Sequence, residues 1–398
     1  MNRNVSKKSL LIFIICYIAY TAIYTARLNL SVATPVFVEL AIADAAQIGI
    51  LGSVFSIVYA IGRFLNGSLG DRIAPWKLIC SGLLLVGIAN LLIGTLPPFA
   101  GFVVLWGTNA WAQSMLWSSI LCIVSALYDK ETAKKAVSYM VTSVATGNIV
   151  GIVLNTWIVD RFGVSFAFVI PGAITLIMAT AVFFSTKHIS APLAEKKAHI
   201  SIFAMLKNRE LLLMSAPAIL HGAVKDNISL WMTAYFVETF LIDLSDSTYF
   251  VLFIPLLGLI GRTVYPAIYK LCRNNEHIVS TVAFIACAAM TLPLCFGLNS
   301  PIIAVICLGA IYALVSVINT SILSIYPIHY TETGNVASVS GLMDLATYGG
   351  AGISSWIYGL VIKNMGYIPM FISWTVICIA GIAIMIRFVK QGREKQNV

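Results

Sequence analysis

Tyr20, Tyr24, Arg27 and Ser31 follow one another at spacings of four, three and four residues, which places them on one face of a helix. Tyr59 and Arg63 stand four apart, and His221, Lys225 and Ser229 repeat that step twice. A cation flanked by phenols and hydroxyls offers an oxyanion both charge and directed hydrogen bonds, as phosphate or carboxylate recognition requires. Arg262 is a further cation of this kind, and Asp226 and Asp344 are the carboxylates that stand among them. Four such cations against two carboxylates leave a positive surplus suited to a divalent phosphate monoester. The residue types leave other readings open. The tyrosines fit an interfacial aromatic belt, and Arg63 and Arg262 can reach an interface or a carboxylate by snorkelling. Asp344 serves equally as a partner for a cation, as a proton carrier, or as a helix-interior residue bonded to a nearby hydroxyl.

These residues all lie inside long apolar runs. Of 398 residues, 59% are hydrophobic and 10% charged, whereas soluble domains carry about 25% charged residues. Runs of about 20 apolar residues are long enough to cross a hydrocarbon core of ~30 Å. Twelve spans are expected, at roughly 9–34, 46–69, 77–96, 100–127, 136–159, 164–185, 210–238, 247–269, 278–296, 301–327, 335–361 and 367–388. The chain therefore reads as an all-α membrane protein whose solvent is lipid. An arginine or lysine at mid-bilayer costs at least ~2.5–3.5 kcal/mol, so Arg27, Arg63, Lys225 and Arg262 call for a compensating role.

The formal charge of +9 does not imply nucleic-acid binding, because the basic residues fall in short clusters between spans. The N-terminus, the even-numbered connections and the C-terminus hold 19 of the 25 Lys and Arg. This bias predicts a plasma or inner membrane protein with both termini cytoplasmic. Lys7, Lys8 and the apolar run after them read as an uncleaved first helix rather than a signal peptide. The eight cysteines lack CxxC or Cys/His spacing and read as small hydrophobes, with neither metal, cofactor nor disulfide expected.

The polar stretch from His188 to Arg209 separates six spans from six. The expected organisation is an N-terminal six-helix bundle over 1–186, a cytoplasmic linker over 187–209 and a C-terminal six-helix bundle over 210–398. The halves repeat. Arg27-Leu28-Asn29-Leu30-Ser31 matches Lys225-Asp226-Asn227-Ile228-Ser229 at an offset of 198, and Ile61-Gly62-Arg63 matches Ile260-Gly261-Arg262 at an offset of 199. Parallel six-helix repeats of this kind are the architecture of major facilitator transporters, whose solute site lies near the midplane.

Gly67, Gly70, Asp71, Arg72 and Lys77 form a G-x-x-G-D-R-x-x-x-x-K sequence between the second and third spans. It resembles the loop motif of the major facilitator superfamily, and the resemblance implies a gating latch for Asp71 and Arg72. The pattern Tyr20-x-x-x-Tyr24-x-x-Arg27-x-Asn29, then Tyr59-x-x-x-Arg63, then Gln113-x-Met115-x-Trp117, resembles the organophosphate:phosphate antiporters, which include glycerol-3-phosphate and hexose-6-phosphate exchangers. Lys225, six residues before Trp231, stands where that family carries its second phosphate-binding arginine, and Tyr348-Gly349-Gly350 resembles a family tyrosine in the eleventh span. The sequence departs from the family at three points: Lys225 replaces arginine, Thr146 stands where glycerol-phosphate exchangers carry a histidine, and Arg262 and Asp344 are additional.

The resemblance implies a monomeric antiporter, not an enzyme, that binds a small anionic solute between Arg27 and Lys225. Arg63, Tyr20, Tyr24, Tyr59, Trp117 and Tyr348 would complete the site, and inorganic phosphate would be the counter-substrate. Asp344, Asp226 and Arg262 are the coupling candidates. Two rivals remain: a proton- or cation-coupled symporter of a sugar acid or other carboxylate, and a membrane sugar-phosphate sensor.

Overall fold

The computed structural model describes residues 7–70, 73–189, 205, 207–297, 300–330 and 336–396. Asp71 and Arg72, and most of the 187–209 linker, lie outside the described residues. The first six expected spans are α1 (Lys7–Glu39), α2 (Ala45–Gly70), α3 (Pro75–Ile93), the pair α4 (Phe99–Ser114) and α5 (Leu116–Leu127), α6 (Lys130–Phe162) and α7 (Phe166–Thr186). The second six are α8 (Arg209–Phe240), α9 (Leu244–Leu271), α10 (Glu276–Cys295), α11 (Pro301–Asn319), α12 (Val336–Met365) and α13 (Ile368–Gln396). The expected fourth span is broken at Met115. The tenth continues past α11 through a π-helical turn, Thr320–Ile325, and a 3-10 turn, Tyr326–Tyr330.

Ten helical stretches among the described residues are long and apolar enough to cross a membrane. The two expected spans missing from that set, α8 and α12, form continuous helices of 32 and 30 residues but fall short in hydropathy. The shortfall has a plain source: α8 carries His221, Lys225, Asp226 and Asn227, and α12 carries Asp344 among glycines, serines and threonines. The helices least suited to lipid are those that hold the candidate chemistry of the second half.

Helix starts are set where polar residues interrupt the apolar runs. The side chains of Asp129, Asn208 and Asn275 accept hydrogen bonds from backbone N–H groups in the first turns of α6, α8 and α10, satisfying donors that the helix itself leaves unpaired.

The chain forms two compact units, one of residues 1–43 and 54–196, the other of 44–53 and 197–398. In the first, α1 packs against α6 and α7, and α3 against α4 and α7. In the second, α8 packs against α12, α9 against α11, and α10 against α11 and α13. Residues 44–53 group with the second unit because Gly49 lies against Gly359 and Gly52 against Ser355, both on α12.

The duplication read from the sequence recurs in the packing. Gly62 is closed in by Ser114, and Gly261, 199 residues on, by Ala313, which is 199 residues beyond Ser114. Asn155 Nδ2 donates to Thr25 O at 2.8 Å, and Ser354 Oγ approaches Ala223 O at 3.5 Å at the matching positions. A side chain at either glycine would push its helix off the neighbour, so the repeated glycines preserve close helix approach in a lipid-solvated fold.

Candidate functional site

In the first unit, a buried amide network fixes α1 next to Arg27. Asn29 Nδ2 donates to Asn90 Oδ1 at 2.8 Å, and Asn90 Nδ2 donates to Val86 O at 2.8 Å and to Asn109 Oδ1 at 3.2 Å. Asn109 Nδ2 and Gln113 Nε2 both donate to Ala26 O, at 3.0 and 3.3 Å. Asn29, Asn90, Asn109 and Gln113 are buried. Unpaired amides in an apolar interior cost about 1–3 kcal/mol each, so this network locks α1, α3 and α4 into one register around residue 26. Within it, Gln113 Oε1 lacks a hydrogen-bond partner.

Arg27 projects from that anchored turn into an aromatic cluster. Its guanidinium carbon lies 4.9 Å from the ring centre of Tyr59, 5.0 Å from Phe55 and 5.8 Å from Tyr24. The Arg63 guanidinium carbon lies 6.0 Å from the centre of the same Tyr59 ring. Tyr20 packs edge-on against Tyr24, with ring centres 5.7 Å apart, and 4.7 Å from Trp117 on α5. Tyr20, Tyr24, Phe55 and Tyr59 are buried, whereas Arg27, Arg63 and Trp117 keep partial exposure. The structure thus brings together the six first-half residues selected for solute binding, Tyr20, Tyr24, Arg27, Tyr59, Arg63 and Trp117. Gly147 and Gly151 on α6 make room for Tyr24, since a Cβ on Gly147 would meet its ring. Thr146 is bonded to Tyr17 Oη at 2.8 Å, outside this cluster of rings.

Phe55 was not among the residues selected from the sequence. The signal was available: Phe55, Tyr59 and Arg63 are spaced by four along α2 and share one face. A phenylalanine has no polar atom to draw attention to it, yet its ring face attracts a guanidinium as a tyrosine's does.

In the second unit, Lys225 Nζ lies 3.3 Å from Asp226 Oδ1 and 5.4 Å from the centre of the Tyr348 ring on α12. Asp226 Oδ2 is buried and lacks a hydrogen-bond partner. The following residue, Asn227, anchors the segment. Its Nδ2 donates to Ser354 Oγ at 2.8 Å, and its Oδ1 accepts from Ser355 Oγ at 3.1 Å and from Trp231 Nε1 at 3.2 Å. Asn227 is the repeat of Asn29, so each unit fixes its cation by an asparagine two residues further along the helix. Arg262 is half-buried on α9, and Asp344 is half-buried on α12, one turn before Tyr348. The structure therefore joins Lys225, Asp226 and Tyr348.

Both units present a partly exposed cation against an aromatic ring. Such a group can hold a phosphate or carboxylate by charge-assisted hydrogen bonds. Among the described residues, no group of three His, Cys, Asp or Glu is arranged to hold a metal ion.

Comparisons with known proteins place the chain in a family. The chain is 31% identical over 167 residues to a "Probable hexose phosphate transport protein" of Chlamydia trachomatis, a match covering 42% of this chain and 37% of that protein. It is 28% identical over 179 residues to the "Glycerol-3-phosphate transporter" of Haemophilus influenzae, covering 44% of this chain and 33% of that protein. A match of 29% over 121 residues to the "Membrane sensor protein UhpC" of Escherichia coli covers 30% and 27%. These matches span well under half the length of the curated relatives. Among solved structures, a nucleoside transporter NupG mutant superimposes with a TM-score of 0.78 at 14% identity, covering 96% of this chain and 99% of that one. A bacterial homolog of the human lysosomal transporter Spinster gives 0.75 at 13%, covering 96% of each chain. The model of the Major Facilitator Superfamily matches residues 16–355. With paired repeats and cations inside its helices, the chain belongs to the Major Facilitator Superfamily and is a multi-pass membrane transporter similar to sugar-phosphate and glycerol-3-phosphate transporters.

Proposed function

We propose that this transporter exchanges a phosphate ester for inorganic phosphate by alternating access. The observation that carries the reading is the Arg27 guanidinium, ringed by Tyr24, Phe55 and Tyr59 inside an apolar helix, with a second cation, Lys225, at the repeated position. The names of the relatives support a phosphorylated solute. In this reading Arg27 and Lys225 bind the phosphoryl oxygens. Arg63, Tyr20, Tyr24, Tyr59, Trp117 and Tyr348 orient the anion and close it off from lipid. Asp71 and Arg72 act in gating, and Asp344, Asp226 and Arg262 tune the charge of the site as it fills and empties. The chain works as a monomer of two six-helix bundles, 1–186 and 210–398, joined by the 187–209 linker. It sits in the plasma or inner membrane with both termini cytoplasmic, a topology supported by the charge bias between connections.

The test is uptake of labelled phosphate esters into proteoliposomes loaded with inorganic phosphate. Stimulation by internal phosphate, with no requirement for a proton gradient, is the expected result. A second reading, proton-coupled symport of a carboxylate, draws support from the Lys225–Asp226 pair, because a carboxylate beside a cation can exchange that partner for a proton. Uptake of sugar acids driven by a pH gradient and indifferent to internal phosphate would displace the exchanger in favour of the symporter.

A further inference from the structure

Lys225 and Asp226 stand side by side on α8, with 17% and 21% of their side-chain surface exposed. Lys225 Nζ lies 3.3 Å from Asp226 Oδ1, while Asp226 Oδ2 accepts no hydrogen bond. A carboxylate offers about four acceptor positions, and one inside a membrane ordinarily finds its partners within the bundle. Here the donors of the same turn are committed elsewhere. Trp231 Nε1 and Ser355 Oγ both donate to Asn227 Oδ1, and Thr347 Oγ1 on α12 donates to Met343 O. Packing does not account for the carboxylate either. Asn227 ties this turn to α12 through Ser354 and Ser355, and the matching position of α1 is Leu28, an apolar residue of similar length that lies against Gly151. The fold therefore leaves an acceptor over, next to the cation that faces the solute.

Resting on the phosphate reading above, we propose that Asp226 selects the organic part of the ester: its carboxylate accepts a hydrogen bond from a hydroxyl or ammonium group that the solute carries. The step is an exchange of partners, and no covalent bond forms or breaks. Phosphoryl oxygens draw the Lys225 ammonium away from Oδ1, which leaves the whole carboxylate without a donor, and the solute's own donor takes the place that Lys225 gives up. A donor on the second carbon from the ester oxygen reaches Asp226 while the phosphoryl group stays on Lys225, because the two partners start only 3.3 Å apart. An ester without such a donor leaves a charged acceptor bare in a desolvated site, which is costlier than the loss of one contact. Sites built to bond a solute's hydroxyl or amine reject an analogue lacking it far more strongly than an apolar pocket rejects a missing methylene. The class favoured is thus the phosphate monoester bearing a hydroxyl or amine near its ester oxygen, over simple alkyl phosphates.

The experiment is calorimetric titration of the purified full chain with three esters of one chain length: ethyl, hydroxyethyl and aminoethyl phosphate. Wild type is expected to bind the better of the two donor-bearing esters at least about tenfold more tightly than ethyl phosphate, and the larger gain identifies hydroxyl or ammonium as the group received. In Asp226→Leu, which takes the side chain of the repeated position, that ratio is expected to fall to about one, with ethyl phosphate bound more tightly than by wild type because the competing carboxylate is gone. A general disturbance of the fold would not move the esters in opposite directions. Asp226→Asn keeps an acceptor oxygen without the charge, and is expected to retain part of a hydroxyl preference and to lose an ammonium preference. Equal affinity of wild type for all three esters overturns the inference and leaves the phosphate reading standing, and that measurement needs no variant. A ratio unchanged in Asp226→Leu also overturns it, since the donor is then received elsewhere. If wild type binds none of the three esters and no inorganic phosphate, the phosphate reading falls and this inference with it.

Discussion

Arg27 and Lys225 occupy the same place in the two repeats, 198 residues apart, yet they are held in different ways. Arg27 is surrounded by Tyr24, Phe55 and Tyr59. The positions equivalent to those rings in the second unit are Gly222, Ile254 and Gly258, none aromatic. Lys225 is instead paired with Asp226 and backed by Tyr348 from α12. The exchange extends to the helix contacts. Tyr24 lies over Gly147, whereas at its repeated position Gly222 lets α8 lie directly against the backbone of Thr347 on α12. Likewise Gly258 accommodates the ring of Tyr312, at positions that in the first unit are held by Tyr59 and Gln113. The duplicated scaffold kept its spacing and the two cations diverged: one is a guanidinium held by ring faces, the other an ammonium paired with a neighbouring carboxylate.

The largest effect should come from the fixed cation. Arg27→Ala is expected to abolish phosphate exchange in proteoliposomes while leaving membrane insertion near normal, since removing the cation relieves an insertion cost of ~2.5–3.5 kcal/mol. Retention of exchange in that variant would remove Arg27 from the site. At the repeated position, Lys225→Gln should likewise abolish exchange. Lys225→Arg should preserve it and tighten binding, because a guanidinium offers a planar fork to two oxygens. Equal activity of wild type and Lys225→Gln would show that the second unit's cation does not hold the solute.

Asp226→Asn sharpens the contrast further. The carboxylate competes with the solute for Lys225, so its neutralisation should tighten phosphate binding by about tenfold, a gain of ~1.4 kcal/mol. A weaker affinity in this variant would mean that Asp226 supports the bound state. The aromatic surround of Arg27 should show smaller losses. Tyr24→Phe and Tyr59→Phe are each expected to cost about 0.5–1.5 kcal/mol of binding if the phenol bonds the solute, and Phe55→Leu about 0.5–2 kcal/mol through the lost cation–π contact. Unchanged dissociation constants for all three would reduce the cluster to packing.

The smallest effect belongs to an ion pair of the second unit, away from these cations. Lys363 Nζ donates to Asp44 Oδ2 at 2.8 Å, with the two side chains 49% and 43% exposed. That hydrogen bond holds the Asp44 carboxyl below the usual carboxylate range. A lowered carboxyl contributes its stability above the unfolded value, near ~3.9, and loses it as pH falls through the lower folded value. Asp44→Asn should therefore change thermal stability by no more than about 1 kcal/mol at neutral pH, and by progressively less below about pH 4. A larger loss at neutral pH would mark this pair as more than a solvated contact.

Span positions were legible because lipid acts on each residue separately, and an apolar run must be about 20 residues long whatever it packs against. The expected and observed ends agree within a few residues for most helices, the largest difference being the eight residues by which α13 outruns its expected end. The repeats were legible for a related reason: Arg27-x-Asn29 and Lys225-x-Asn227 are local, and an asparagine two residues past a cation needs no knowledge of its partner to be recognised. First-half residues spaced by three or four on α1 and α2 also meet as expected, since helical periodicity fixes which side chains share a face.

The sequence by itself thus determined the lipid environment, the helices, the duplication and the positions of the cations along them. Only the tertiary structure decided what each cation touches. Phe55 joins Tyr24 and Tyr59 around Arg27 because α2 meets α1 there. Asn90 and Asn109 reach the Arg27 turn across 61 and 83 residues of sequence, and Tyr348 reaches Lys225 from α12. Such contacts are set by the crossing of helices distant in the chain, where a glycine on either partner decides which side chain fills the space, and no local pattern encodes which of the two it will be.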